Sequence, residues 1–114
     1  MTECLFCRIV RKEVPSRVVF EDEGVMAFHD VQPQAPVHVL VVPKKHVARL
    51  FDLDPDDREL LARVQGAVRR LADHFSVNES GFRWVTNNGA DAGQAVGHLH
   101  FHFLAGRRFT WPPG

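Results

Sequence analysis

The stretch His98-Leu99-His100-Phe101-His102-Phe103-Leu104 alternates histidine with apolar residues. A period of two fits a strand with one buried face, and no helix keeps such a pattern on one side. The strand predicts the imidazoles of His98, His100 and His102 along one face, about 6.5–7 Å apart, with Leu99, Phe101 and Phe103 in the core behind them. Packing alone does not account for three successive imidazoles on one face. They suit a metal site of three imidazoles, or a nucleophilic imidazole flanked by two that hold charge or donate protons.

The remaining pattern supplies the elements around this strand. Leu5 to Lys12 reads as a short helix, ended by the Val14-Pro15 step because a residue before proline disfavours the α region. Arg17 to Phe20 and Val25 to His29 read as strands separated by the acidic turn Glu21-Asp22-Glu23-Gly24. Asp30 to Pro36 is loop, and β-branched Val37 to Val42 is a well-buried strand that stops at Pro43. Asp54 before Pro55 predicts a helix start, followed by Leu60, Leu61, Val64, Val68, Leu71 and Phe75 at spacings of three and four. Phe82 to Thr86 is a strand, Asn87 to Gly97 a loop with three glycines, and Arg107 to Gly114 a tail. Five strands and one long helix predict an α+β domain with a mainly antiparallel sheet covered on one face. A bare face or edge would then favour a homodimer.

Composition narrows the partners. Lys plus Arg equals Asp plus Glu at 14 each in 114 residues, which argues against a general nucleic-acid polymer as partner. Apolar runs such as Val39 to Val42 are too short to span a membrane, and the charged residues Glu3, Arg8, Arg11, Lys12 and Glu13 do not form a signal peptide. The expected location is the cytoplasm. The loop Asn87-Asn88-Gly89-Ala90-Asp91-Ala92-Gly93-Gln94-Ala95 would let backbone N–H groups approach an anion, so a phosphate between it and the imidazoles is a natural reading.

The pattern His98-φ-His100-φ-His102-φ-φ, with φ apolar, resembles the signature of the histidine triad superfamily. The resemblance continues through Phe28-His29-Asp30, Pro33-Gln34-Ala35-Pro36-Val37-His38, Val42-Pro43-Lys44-Lys45-His46, Asn87, Gly93-Gln94 and Trp111-Pro112-Pro113-Gly114. It implies a single domain over residues 1–114 with a tail at 107–114, whose sheet extends across a homodimer. The length and ending are similar to the purine nucleoside phosphoramidase branch. Dinucleoside-polyphosphate hydrolases, nucleotidyltransferases and weakly catalytic nucleotide-binding modules are the neighbouring alternatives. The phosphoramidase resemblance implies that His100 attacks the α-phosphorus of a nucleoside 5′-phosphoramidate. Water would then cleave the nucleotidyl-imidazole, with no catalytic cofactor. His102 would contact the phosphate and assist the departing amine, and His38 would support the same cluster. Asn87, Gly93 and Gln94 would orient phosphoryl oxygens, and Asp30 would accept the ribose hydroxyls. Phe6, Ile9, Phe28, His29, Val31 and Leu40 would contribute to the nucleoside slot, with Trp111 near the partner subunit's site.

One position departs from the pattern. Relatives often carry serine after Gly-Gln, where this chain has Ala95; the backbone N–H stays but a hydroxyl donor is lost, which predicts a slower or differently selective enzyme. Cys4-Leu5-Phe6-Cys7 has the spacing of half a zinc site, and a redox pair, a disulfide or two buried thiols are the other readings. The resemblance implies that Cys4 and Cys7 join His46 and His98 around a structural zinc, which removes His98 from the catalytic set.

Overall fold

The computed structural model describes residues 4–114; residues 1–3, with Glu3 of the charged leading stretch, lie outside the described residues. A short helix α1 (Leu5–Val10) precedes strands β1 (Val18–Glu21), β2 (Val25–His29) and β3 (Val37–Pro43). Helix α2 (Arg58–His74) then leads to β4 (Phe82–Val85) and β5 (Phe101–Ala105). All neighbouring strands pair antiparallel in one sheet of order β1-β2-β3-β5-β4. The architecture is the expected α+β one.

Strand alternation divides the core in two. Val25, Ala27, Val39, Val41, Phe101 and Phe103 face α2, which buries Leu60, Val64, Ala67, Val68, Leu71 and Ala72 against them. Each such large aliphatic or aromatic side chain contributes roughly 1.5–3 kcal/mol on burial. Met26, Phe28, Leu40 and Val42 face the other way and are covered by Phe6 and Ile9 of α1. The expectation of a sheet covered on one face is therefore corrected: α1, though short, closes part of the second face, the one that carries His38 and His102.

Two boundaries move for local reasons. Helix α2 starts at Arg58 and not after Asp54, because the Asp57 side chain accepts from the Leu60 amide at 3.2 Å and acts as the cap. Asp54 instead closes a preceding turn, accepting from the amides of Asp56 and Asp57 at 2.9 Å each. The last strand begins at Phe101, not His98. The backbone of His98 and His100 lies outside the ladder.

Candidate functional site

β3 and β5 pair Leu40 with His102 and His38 with Leu104, so His38 and His102 lie diagonally on one face, where long side chains meet. His38 Nε2 is 2.8 Å from His102 Nδ1. The backbone amide of Gln34 donates to His38 Nδ1 at 3.0 Å, which fixes that nitrogen as an acceptor. In neutral His38 the proton is therefore on Nε2, and it is donated to His102 Nδ1. The same reasoning puts the proton of neutral His102 on Nε2. Burial pushes the His102 imidazole down to about 4, with His100 and His38 adding to the effect against the opposing Asp30 carboxylate. Burial likewise lowers His38, again opposed by Asp30. Both rings are neutral at pH 7, as the proton assignment requires.

His100 is buried, and its Nδ1 is 2.7 Å from the carbonyl of His98. A carbonyl only accepts, so Nδ1 carries the proton and the Nε2 lone pair is left for chemistry. The ring is 5.2 Å from that of His102 and 5.1 Å from that of Phe6, centroid to centroid. Thr86 Oγ1 donates to the His100 carbonyl at 2.9 Å, a contact that holds the backbone where the strand ladder has not yet begun. The arrangement sets a lone pair on His100 beside a donor N–H on His102. Such a pair can attack an electrophile and stabilise the charge that develops on it.

His98 belongs to a second cluster. Its Nε2 donates to the Pro43 carbonyl at 2.8 Å, leaving Nδ1 as the lone pair; burial, its largest influence, lowers its pKa and favours the neutral form. That one lone pair is met by Cys4 Sγ at 3.3 Å, Cys7 Sγ at 3.5 Å and His46 Nδ1 at 3.2 Å, and Cys7 Sγ is 3.2 Å from His46 Nδ1. All four donor atoms lie within 4.8 Å of one another. One lone pair does not satisfy three such neighbours through hydrogen bonds, whereas a central cation satisfies all four. A tetrahedral zinc with its usual bond lengths has edges of roughly 3.3–3.8 Å, close to the distances seen. The donor set fits zinc. His98, His100 and His102 do not converge on a common point, so the reading of three imidazoles on one metal is corrected: their backbone does not run as a continuous strand.

The glycine-rich loop that follows Thr86 is braced from within. Gly89 and Gly93 take positive φ of 89° and 84°, conformations that favour glycine. Gln94 Oε1 accepts from the Gly89 amide at 2.9 Å, while its Nε2 donates to the carbonyls of Ala48 at 2.8 Å and Val96 at 3.0 Å. Its carboxamide is thus spent on the loop, which corrects the expectation that it touches phosphoryl oxygens. The Gly93 amide is also used, by the Ala90 carbonyl. Among the described residues the Ala95 amide donates to no protein acceptor. Asn87 is half-buried beside this loop.

Phe6, Ile9, Phe28 and Leu40 do gather in one cluster beside the imidazoles. His29 does not join them. Alternation along β2 turns its ring to the α2 face, edge-on to Phe75 at 6.1 Å. Val31 is 94% exposed and packs into no slot, and Trp111 is 83% exposed in the tail. Asp30 accepts from the Gln32 amide at 2.8 Å through Oδ1 and places Oδ2 3.4 Å from His38 Nε2. Sequence reasoning missed Thr86, the Gln34 amide and the Pro43 carbonyl; the last two are backbone groups and carry no residue signature.

The HIT domain family matches residues 11–109. The chain belongs to the histidine triad, or HIT, family. A HIT-like protein of Synechocystis is 46% identical over 112 residues, covering 98% of this chain and 97% of its own. The crystal structure of a HIT family hydrolase from Legionella pneumophila superposes with a TM-score of 0.96 at 48% identity, covering 98% of this chain and all of the other. A zinc-bound histidine triad family protein from Mycobacterium smegmatis superposes with a TM-score of 0.81 at 31% identity, covering 93% of this chain and 76% of the other. Among the described residues no helix is long and apolar enough to cross a membrane.

Proposed function

We propose that this HIT protein hydrolyses purine nucleoside 5′-phosphoramidates to the nucleoside monophosphate and an amine through a covalent nucleotidyl-His100 intermediate. The observation that carries the reading is the assignment of protons: Nδ1–H of His100 is held by the His98 carbonyl, so in the neutral ring Nε2 is the lone pair. In the first step Nε2 bonds to the α-phosphorus and the phosphorus–nitrogen bond breaks. His102, an N–H donor at Nε2 backed by His38, stabilises the phosphoryl charge and the leaving nitrogen. Water then cleaves the phosphorus–imidazole bond. Over the cycle one water is consumed, its hydroxyl ending on phosphorus and its hydrogen on the amine. Asp30 favours the charged form of His38 and His102 if either takes up a proton.

The nucleoside is assigned to Asp30 at the ribose and to Phe6, Ile9, Phe28 and Leu40 at the base, with the Ala95 amide and Asn87 at the phosphate. Cys4, Cys7, His46 and His98 would hold a zinc that supplies cross-linking, not chemistry, since four protein ligands leave no open position. The protein is assigned to a cytoplasmic homodimer, one domain over residues 1–114 with a tail at 107–114 that brings Trp111 to the partner's site. Turnover of adenosine 5′-phosphoramidate tests the activity. The natural chain should release AMP and ammonia while His100→Ala does not; equal release by both would overturn the nucleophile assignment.

A further inference from the structure

His98 takes part in both clusters through different atoms. Its side chain offers Nδ1 to the cysteine cluster and gives Nε2–H to Pro43, while its main-chain carbonyl receives Nδ1–H of His100 at 2.7 Å. Helix α1 makes the same connection a second time. Cys4 caps it and Cys7 lies in its first turn with Phe6 between them, and the Phe6 ring stands edge-on to His98 at 6.0 Å and to His100 at 5.1 Å. At its N-terminal end, α1 reaches His46 and His98 of the sheet side through these sulfurs.

We infer that occupancy of the Cys4–Cys7–His46–His98 cluster by a thiophilic divalent cation positions the nucleophile, by holding the His98 carbonyl and the Phe6 ring against His100. This rests on the proposed role of His100. His98 is a positioning residue in this account, as is Phe6. Among the described residues the His100 ring has one hydrogen bond to fix its proton, and its acceptor sits on the backbone of a cluster residue. Outside the cluster, His98 is fixed by its Nε2 bond to Pro43 and the bond from its neighbour Leu99 N to the Val47 carbonyl at 2.6 Å. With the cluster disassembled, the His98 ring loses its Nδ1 partners and keeps only packing on that side, α1 loses its two sulfur anchors, and the His100 proton is no longer confined to Nδ1.

The test reads the proton and not only the activity. Uniformly ¹⁵N-labelled full-length protein is examined by imidazole nitrogen NMR at fixed neutral pH in three states: loaded with Zn²⁺, loaded with Cd²⁺, and stripped by a chelator. Metal content is measured in parallel. With Zn²⁺ the His100 nitrogens should report one tautomer, protonated at Nδ1. In stripped protein the two resonances should move toward each other, and the single-turnover rate of adenylyl transfer from adenosine 5′-phosphoramidate should fall about tenfold, the effect of about 1.4 kcal/mol. If stripped protein unfolds, the two metals decide. Cadmium is larger and keeps the cluster closed, so a displaced His100 Nδ1 resonance supports the coupling. Superimposable His100 resonances in every folded state, or failure to bind either metal, overturn it. The two proposals fail separately: an Nδ1-locked His100 that never acquires an adenylyl group contradicts the catalytic reading and leaves the positioning intact.

Discussion

Two groups of imidazoles stand side by side on one face of the sheet, and they differ in where their protons lie. In the relay of His38, His102 and His100, donors and acceptors alternate: Gln34 N–H to His38, His38 N–H to His102, His100 N–H to a carbonyl. Each ring keeps one position for a substrate or for its neighbour. Around His98 the same side chain type offers a single lone pair to two sulfurs and a second imidazole at once. Residue type is shared, and the backbone groups behind each ring decide the outcome. A carbonyl behind Nε2 of His98 leaves Nδ1 as its lone pair, facing the sulfurs. A carbonyl behind Nδ1 of His100 leaves Nε2 as the lone pair of the neutral ring.

The sharpest way to break this contrast is to remove a ring from the relay. His100→Ala should lower kcat/KM for adenosine 5′-phosphoramidate by on the order of 10⁴ or more, with bound metal per chain unchanged by mass analysis. Loss of the metal in this variant would merge the two clusters. His102→Gln should cost less, roughly 10²–10³-fold in kcat, because a donor is weakened while the nucleophile stays. Cys7→Ser acts on the other side: thermal melting should drop by several degrees as one ligand is lost, whereas His102→Gln leaves the metal content alone.

Acid sharpens the comparison within the relay. The folded pKa of His102 lies near 4, below the ordinary imidazole value, and that of His38 is also lowered. The unfolded chain therefore binds more protons than the folded one between about pH 6.5 and 4. Stability should be flat above pH 7 and decline as pH falls through this window; a denaturant midpoint series checks it, and an unchanged midpoint at pH 5 contradicts the neutral relay. The smallest effect is expected at the loop. Ala95→Ser restores a hydroxyl donor near the phosphate and should raise kcat by about tenfold, the value of one added hydrogen bond; no gain on any phosphoramidate removes the proposed contact.

Much of this was legible in the sequence where side-chain pattern is the cause. The apolar spacing of Leu60, Val64, Val68 and Leu71 announces α2, and the alternation through Phe101 and Phe103 announces β5. The companions Cys4, Cys7 and His46 come from distant parts of the chain and meet His98 as the family pattern implies. What failed to show was set by groups that every residue has. The Pro43 and His98 carbonyls and the Gln34 amide choose the tautomers. The motif Phe28-His29-Asp30 implies a place for His29 in the nucleoside slot, yet a period of two sends its ring to the opposite face. Gln94 looked like a phosphate ligand, yet three backbone groups of the loop and its neighbour claim its carboxamide.

The most direct test of the account is intact-protein mass spectrometry after brief mixing with adenosine 5′-phosphoramidate in the cold, with peptide mapping of any adduct. The account predicts a transient gain of one adenylyl group, carried by His100 and missing from His100→Ala. An adenylyl group mapped to His102 or His38 would contradict it, because the hydrogen bonds assign the available lone pair to His100.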